Sequence, residues 1–396
     1  MEGLRCPKGI SLEVADLEWF LEKLNKMFKF KIRHRKPKNP DYVIVVCTVL
    51  LVLFGLAMLS SASSNTGKSQ FGDANFFLKR QIINGLSVGI LGFLLASVIY
   101  YKYYAKFALI FLITSIVALS LVFTPLGLTA KGATRWVSIG PVNFQPSEIV
   151  KIFLIIYLAA WLSADKNRTK DLKRGFIPFL IVTAVIVGLL LKQPATSTTT
   201  ILFVVAITMY FMSGAKMKYL ALLGLLAAIG FAAVIYSTPY RLERVLTFLH
   251  PEENAQTSGF HLTQALNAIG SGGLTGVGYG QSTTKLRYLP EPEGDSIFAV
   301  IAEEFGFLGS AFVIILFAVL VFRLIILSKR APDQFGSLLL IGFSALISLQ
   351  VFFHIAAISG LVPITGIPLP FISYGGTSLA IMLTMMGISV NISRYT

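Results

Sequence analysis

Charge is scarce in this chain. Asp, Glu, Lys and Arg make up 13% of its 396 residues, against roughly 25% in a soluble globular domain. Hydrophobic residues reach 55% and the mean hydropathy is +0.74, which excludes a water-soluble globular fold. Cysteine is rarer still. Cys6 and Cys47 are too few for a disulfide framework or a thiolate metal site, and Cys47 lies within an apolar run. No internal repeat is visible, which argues against an inverted-repeat transporter. The N-terminal stretch also lacks an apolar core followed by a small-residue cleavage site, so the first apolar run is read as its own insertion signal. Acids are outnumbered, with 34 Lys and Arg against 19 Asp and Glu, for a formal charge of +15. In a membrane chain that excess reads as basic loops held against anionic headgroups, not as a surface for nucleic acid.

What is present is a series of apolar runs long enough to cross a hydrocarbon core about 30 Å thick. About ten are read, near 42–62, 81–100, 105–124, 147–164, 175–192, 197–213, 217–236, 296–327, 336–359 and 376–393. The fold class is therefore an all-α integral membrane protein. Lysine and arginine orient it. The segments "KMFKFKIRHRKPKNP", "DKNRTKDLKRG", "GAKMK" and "SKRAPDQ" fall on one side when the spans alternate, which puts that side and both termini in the cytoplasm. Residues 1–40 form a cytoplasmic segment in which Leu17, Phe20, Leu21, Leu24 and Phe28 share one helical face, the pattern of an interfacial helix resting on membrane lipids. Residues 41–396 form the membrane domain, with 237–295 as a large extracytoplasmic loop between the seventh and eighth spans.

The outer segments hold cations that topology does not require: Lys131, Arg135, Arg241, Arg244, Lys285 and Arg287. Singly each is an ordinary solvated charge. Together, beside Gly- and Pro-rich loops, they suit an anionic ligand at the membrane surface. In "GATRWVSIGPVNFQPSEIVKIF", Arg135 beside Trp136 fits a phosphate carried on a lipid. Pro146 and Ser147 mark a helix start, Glu148 suits the positive end of its dipole, and Lys151 stands three residues on as its ion-pair partner.

The stretch "GSGGLTGVGYGQSTTKLRYLPEPEGDSIFAVIAEE" starts at Gly270. Its glycines allow a mobile loop or close approach to a ligand, and Lys285 and Arg287 are placed to clamp an anion. Asp295 stands at the lip of the eighth span, as an N-cap or as a carboxylate at the mouth of a cavity. Glu303 and Glu304, about two turns deeper, need a polar cavity or a partner, which favours a helix that lines a cavity. The prolines and glycines of "HIAAISGLVPITGIPLPFISYGGTS" predict a re-entrant loop walling that cavity. His354 reads as a hydrogen-bonded core residue, not a metal ligand.

"GATRW", "FQPSE", "GSGGLTGVGYGQS" with "YLPE", the aspartate before "IFAVIAEE", and "GLVPITGIPLPFISYGGTS" together resemble the SEDS family of bacterial cell-wall polymerases, from about residue 42 to the end. "TQALNAIGSGG" and "TTKLRYLPE" look more like its division branch (FtsW) than its elongation branch (RodA). The resemblance implies a SEDS-like fold of ten helices in the bacterial cytoplasmic membrane. It implies a peptidoglycan glycosyltransferase that polymerises lipid II with a class B penicillin-binding protein as transpeptidase partner, among other divisome proteins. It makes Asp295 the catalytic base, taking the proton from the acceptor sugar's 4-hydroxyl. Substrate contacts are expected from Lys131, Arg135, Trp136, Gln145, Ser147, Glu148, Lys151, Arg241, Arg244, Lys285, Arg287, Glu291, Glu303, Ser373 and Tyr374. An aspartate is a weak base, so positioning and a divalent cation (Mg or Mn) are candidates for the rest of the rate. Three departures from the family pattern stand out: Gln193-Pro194-Ala195-Thr196-Ser197-Thr198 lacks the acid of Gln-Pro-Asp-X-Gly-Thr; the family's His-Thr-Asp before the eighth span reads Glu293-Gly294-Asp295, keeping only the aspartate; and His261 and His354 stand where Gln and Asn are expected. A flippase for the same lipid-linked precursor would also use cations, deep carboxylates and broken helices. The concentration of charge in the outer loops favours the enzyme.

Overall fold

In hydrocarbon a backbone must bond itself, so long apolar runs become helices. The computed structural model describes residues 37–130, 133–140, 142–165, 167–237, 239–249, 259–287 and 289–396; the expected amphipathic helix lies outside them. In chain order, α1 (Tyr42–Phe71) and α2 (Phe76–Val98) precede the short α3 (Lys102–Lys106) and α4 (Ala108–Leu121). A sheet follows, β1 (Gly127–Ala130), β2 (Ala133–Ile139) and β3 (Val142–Phe144). Then come α5 (Pro146–Ser163), α6 (Leu172–Lys192), α7 (Thr196–Met212), α8 (Met217–Tyr236), α9 (Pro239–Leu249), α10 (Phe260–Ser271), α11 (Thr284–Arg287), α12 (Ile297–Arg330), α13 (Gln334–Ile358) and α14 (Gly376–Ser393).

Among the described residues, eight helices are long and apolar enough to cross a membrane, α1, α2, α5, α6, α8, α12, α13 and α14. The shorter apolar helices α4 and α7 fall on the two remaining runs read from the sequence. α5 is the axis of the bundle and α8 its rim, since 83% of the apolar window of α5 is buried and 11% of that of α8. The three-stranded antiparallel sheet, ordered β1-β2-β3, departs from the all-helical expectation. Its strands are short and divided by Gly and Pro, so no long alternation announces it.

Side-chain bonds gather the connections into two ends. At one end Asp41 pairs with Arg323 at 2.6 Å and Lys102 with Asp333 at 2.8 Å. Tyr101 Oη donates to Asp333 and Tyr210 Oη to Thr169 O, at 2.6 and 3.1 Å. At the other end Asn65 donates to Leu286 O at 2.7 Å and Ser197 to Thr365 O at 2.6 Å.

The longest helix, α12, is not continuous. Gly306 sits at φ 64° and ψ −158°, outside helical space. In an unbroken helix Phe307 N and Leu308 N would donate to Glu303 O and Glu304 O. Here they donate to Gly273 O at 2.9 Å and Leu274 O at 3.1 Å, while Glu303 O and Glu304 O each accept at 3.0 Å from Val277 N and Gly278 N. The glycine-rich loop is thus spliced into the ladder of the helix. Glycine is obligatory where the loop touches the helix: a Cβ at Gly276 (φ +82°) would lie 2.1 Å from Glu304 O, and one at Gly272 1.9 Å from Ala302 O. The close approach expected of this loop is made to the protein's own helix.

That splice explains the deep carboxylates. Glu303 accepts from the backbone N–H of Thr283 at 3.0 Å and of Thr284 at 3.3 Å, and from the hydroxyls of Ser282 and Thr284. Lys285 is not an open clamp. It is 5% exposed, and its Nζ lies 2.6 Å from Glu304 Oε1, 2.7 Å from Ser61 Oγ and 2.9 Å from Gly280 O. The loop is therefore the partner that both carboxylates require, and Lys285 and Glu303 are scaffold.

Removing one member of a buried ion pair strands the other. Lys285→Ala should destabilise the detergent-purified protein by about 3–5 kcal/mol, seen as a lowered thermal midpoint. The double change Lys285→Met with Glu304→Met should recover most of the loss. A single variant melting with the wild type would contradict the pairing.

Candidate active site

The loop before α12 is built from its own backbone. Gly294 N and Ser296 N both donate to Glu291 O, at 3.0 and 3.2 Å, closing a turn in which Glu291 takes φ 47°. Ser296, fully buried, donates its hydroxyl proton to Pro290 O at 2.6 Å and therefore accepts the His261 Nε2 proton at 2.6 Å. Ser296 is also the N-cap residue of α12. Its side chain makes no cap bond, and Asp295 stands one residue earlier, half-buried.

The facing wall is the non-helical segment 359–375, as its prolines predict. Ser373 Oγ donates to Gly294 O at 2.8 Å and accepts from Leu369 N at 2.8 Å, and Tyr374 N donates to Glu293 O at 2.9 Å. Gln81, at the start of α2, accepts from Gly375 N at 3.0 Å and donates to Ser373 O at 3.5 Å. Gly366 lies directly against the carboxylate: a Cβ built there, at φ +63°, would stand 3.1 Å from Asp295 Oδ2. Asp295 is therefore held between a stapled turn and a stapled re-entrant segment.

One cation beside this loop escaped the sequence reading. Arg80, exposed on α2, lies within electrostatic reach of the Tyr374 hydroxyl. Glu293 acts on the same phenol. Arg80 also lies over the Phe76 ring at 4.7 Å, and Phe77 packs edge-on to Tyr374 at 5.0 Å. The available signal was an arginine at the outer end of a span, in "FFLKRQ", where the positive-inside rule gives no reason for it.

The other expected residues are distributed differently. β2 carries a bulge at Arg135, because Trp136 pairs with Leu128 and Thr134 with Thr129, and bulges re-aim side chains. The Arg135 guanidinium bonds Pro194 O at 2.6 Å and Gln193 O at 3.4 Å. Arg241 reaches the same helix end, bonding Leu191 O at 3.4 Å, with Val234 O at 3.3 Å. Both arginines thus brace the C-terminal end of α6, whose turn leads into Ser197 and so to Thr365 and Gly366.

Trp136 is half-buried in β2. Glu148 and Lys151 do pair, at 2.6 Å, and at 3% and 1% exposure they are buried near the start of α5. Pro146 occupies the first turn as expected. The N-cap, however, is Gln145, without a side-chain bond, and the buried Ser147 Oγ and Glu148 Oε2 have no partner among the described residues. Lys131 and the side chains of Arg244 and Arg287 lie outside the described residues. Among the described residues no three His, Cys, Asp or Glu side chains converge as a metal site.

Residues 41–396 match the cell cycle protein family FtsW/RodA/SpoVE. The chain is 37% identical over 362 residues to stage V sporulation protein E of Bacillus subtilis, covering 91% of this chain and 99% of that protein. It is 38% identical over 360 residues to a probable peptidoglycan glycosyltransferase FtsW of Geobacter sp., covering 91% and 98%. A chain from a peptidoglycan synthase complex, solved in work on the structural coordination of polymerization and crosslinking, superposes with a TM-score of 0.74 at 27% identity, covering 90% and 98%.

The stapling has a measurable signature. Ser373→Ala removes a donor to Gly294 O and an acceptor for Leu369 N, leaving both to lose about 1–3 kcal/mol of satisfied bonding. Faster amide exchange at Leu369 and a lowered melting midpoint are the expected readings; unchanged exchange would show that the hydroxyl does not join the two walls.

Proposed function

This chain belongs to the cell cycle protein family FtsW/RodA/SpoVE and is a multi-pass membrane peptidoglycan glycosyltransferase, and we propose that it polymerises lipid II at the Asp295 loop. The observation that carries the proposal is the Asp295 carboxylate lying on the Gly366 backbone, in a turn fixed from both sides. A general base in group transfer needs held geometry before it needs basicity.

Lipid II carries a diphosphate at the membrane surface, sugars above it and a polyprenyl tail in the bilayer. Asp295 accepts the proton of the acceptor sugar's 4-hydroxyl as that oxygen bonds to the donor's anomeric carbon. The bond from that carbon to the diphosphate oxygen breaks, and polyprenyl diphosphate leaves with the electron pair from the opposite face, inverting the centre. Arg80, exposed beside Tyr374, is the described cation suited to meet the negative charge of the leaving group. Arg135 and Arg241 support the reaction from behind, by fixing the end of α6.

Sidedness follows from charge. The opposite end of the bundle carries Lys102, Lys173, Arg174, Lys216, Lys329 and Arg330, which supports the cytoplasm as its side and the outer surface of the cytoplasmic membrane as the side of the Asp295 end. The kinship with chains named FtsW and stage V sporulation protein E supports septal synthesis as the setting. The likeness to a chain of a peptidoglycan synthase complex supports a class B penicillin-binding protein as partner.

Purified protein incubated with lipid II in detergent, with and without a class B transpeptidase, tests the proposal. Wild type should yield glycan polymer. Asp295→Asn should lose at least about 100-fold in rate while melting and eluting as wild type. Polymer from Asp295→Asn at the wild-type rate would remove the base. A wild type that moves lipid II across vesicles and makes no polymer in either condition would make the protein a flippase. Arg80→Ala should slow turnover by about 10–100-fold, with Arg80→Lys intermediate, because lysine keeps the charge without the fork.

A further inference from the structure

We propose that Ser197 and His354 form a bracket that sets Gly366 against the Asp295 carboxylate, making both positioning residues for the transfer; the inference rests on the reading of Asp295 given above. The segment around Gly366 lies between Pro363 and Pro368, neither of which has an N–H to give. The two carbonyls that flank Gly366 are each taken by a side chain from a packed helix. Ser197 Oγ, on α7, donates to Thr365 O at 2.6 Å. His354 Nδ1, on α13, meets Ile367 O at 2.6 Å. These two helices pack against each other, so the bracket has a rigid base.

The histidine tautomer follows from its partner. A carbonyl only accepts, so Nδ1 carries the proton and Nε2 is a bare acceptor. His354 is 1% exposed, and its Nε2 has no partner among the described residues. The ring is thus held on its polar side through Nδ1, at the δ position. Between the two held carbonyls the backbone passes at φ +63°, the only place where the carboxylate can rest on it without meeting a Cβ. Releasing either carbonyl lets the Gly366 peptide move while leaving Asp295 itself intact.

Amide side chains separate this role from simple packing. Asparagine carries its N–H at the δ position and reproduces Nδ1, whereas glutamine carries it one atom further and reproduces Nε2. In the lipid II assay, Ser197→Ala and His354→Gln should each lower kcat by about tenfold with KM within about twofold. His354→Asn should recover most of the rate. Hydrogen–deuterium exchange across residues 361–370 of the full-length detergent-purified protein supplies a reading independent of activity. It should accelerate in Ser197→Ala and His354→Gln and return toward wild type in His354→Asn. The proposal is overturned if His354→Gln keeps wild-type kcat and exchange, or if His354→Asn falls as far as His354→Gln. A wild type that makes no polymer yet shows this exchange pattern would overturn the function assigned to Asp295 and leave the bracket supported.

Discussion

Polar backbone that enters an apolar slab must find its partner inside the protein, and the two irregular segments here are shaped by that demand. The glycine-rich loop gives its N–H groups to Glu303 O and Glu304 O and its carbonyls to Phe307 N and Leu308 N. It thereby replaces a turn of α12 that would otherwise be missing. The segment 359–375, broken by proline, adds to its backbone bonds a set from side chains: Gln81, Ser197, His354 and Ser373. The Asp295 carboxylate lies against the second of these segments, and its turn is tied there by the same Ser373 hydroxyl that bonds Leu369 N.

Charge is rationed by the same logic. Most cations expected at the ligand turn out to be committed to groups of the chain itself: Lys285 to Glu304, Lys151 to Glu148, and Arg135 and Arg241 to carbonyls at the end of α6. An ion buried in a membrane domain is stable only with its partner in place, so a charge at depth is weak evidence for a ligand. An exposed cation on the side of the Asp295 loop is stronger evidence, and Arg80, near Tyr374, is one.

The helices were legible in the sequence because hydropathy over about twenty residues is a local property, and the re-entrant segment was legible because its prolines and glycines are local too. The partners were not. Lys285 and Glu304 stand 19 residues apart across a loop, and only the splice into α12 makes them neighbours. The sheet was missed for a related reason. Strands as short as Val142–Phe144 carry too few residues for alternation to register, and the bulge at Arg135 disturbs even that.

The departures from the family pattern gain meaning only in three dimensions, and they cluster around one feature. Position 195 is the N-cap of α7 and carries no cap bond; an aspartate there would accept an N–H of the first turn, so the lost acid is first of all a lost cap. Two residues on, Ser197 adds a hydroxyl where the pattern has glycine, and that hydroxyl holds Thr365 O. His354 stands where asparagine is expected and presents its donor from the same δ position, while His261, in place of glutamine, bonds the Ser296 that anchors the Asp295 turn. Ser197, His354 and His261 therefore each bond a group in or beside the backbone that frames Asp295. A chain can vary in this way when what must be kept is the placement of one carboxylate, and the atoms that enforce it are free to come from different side chains.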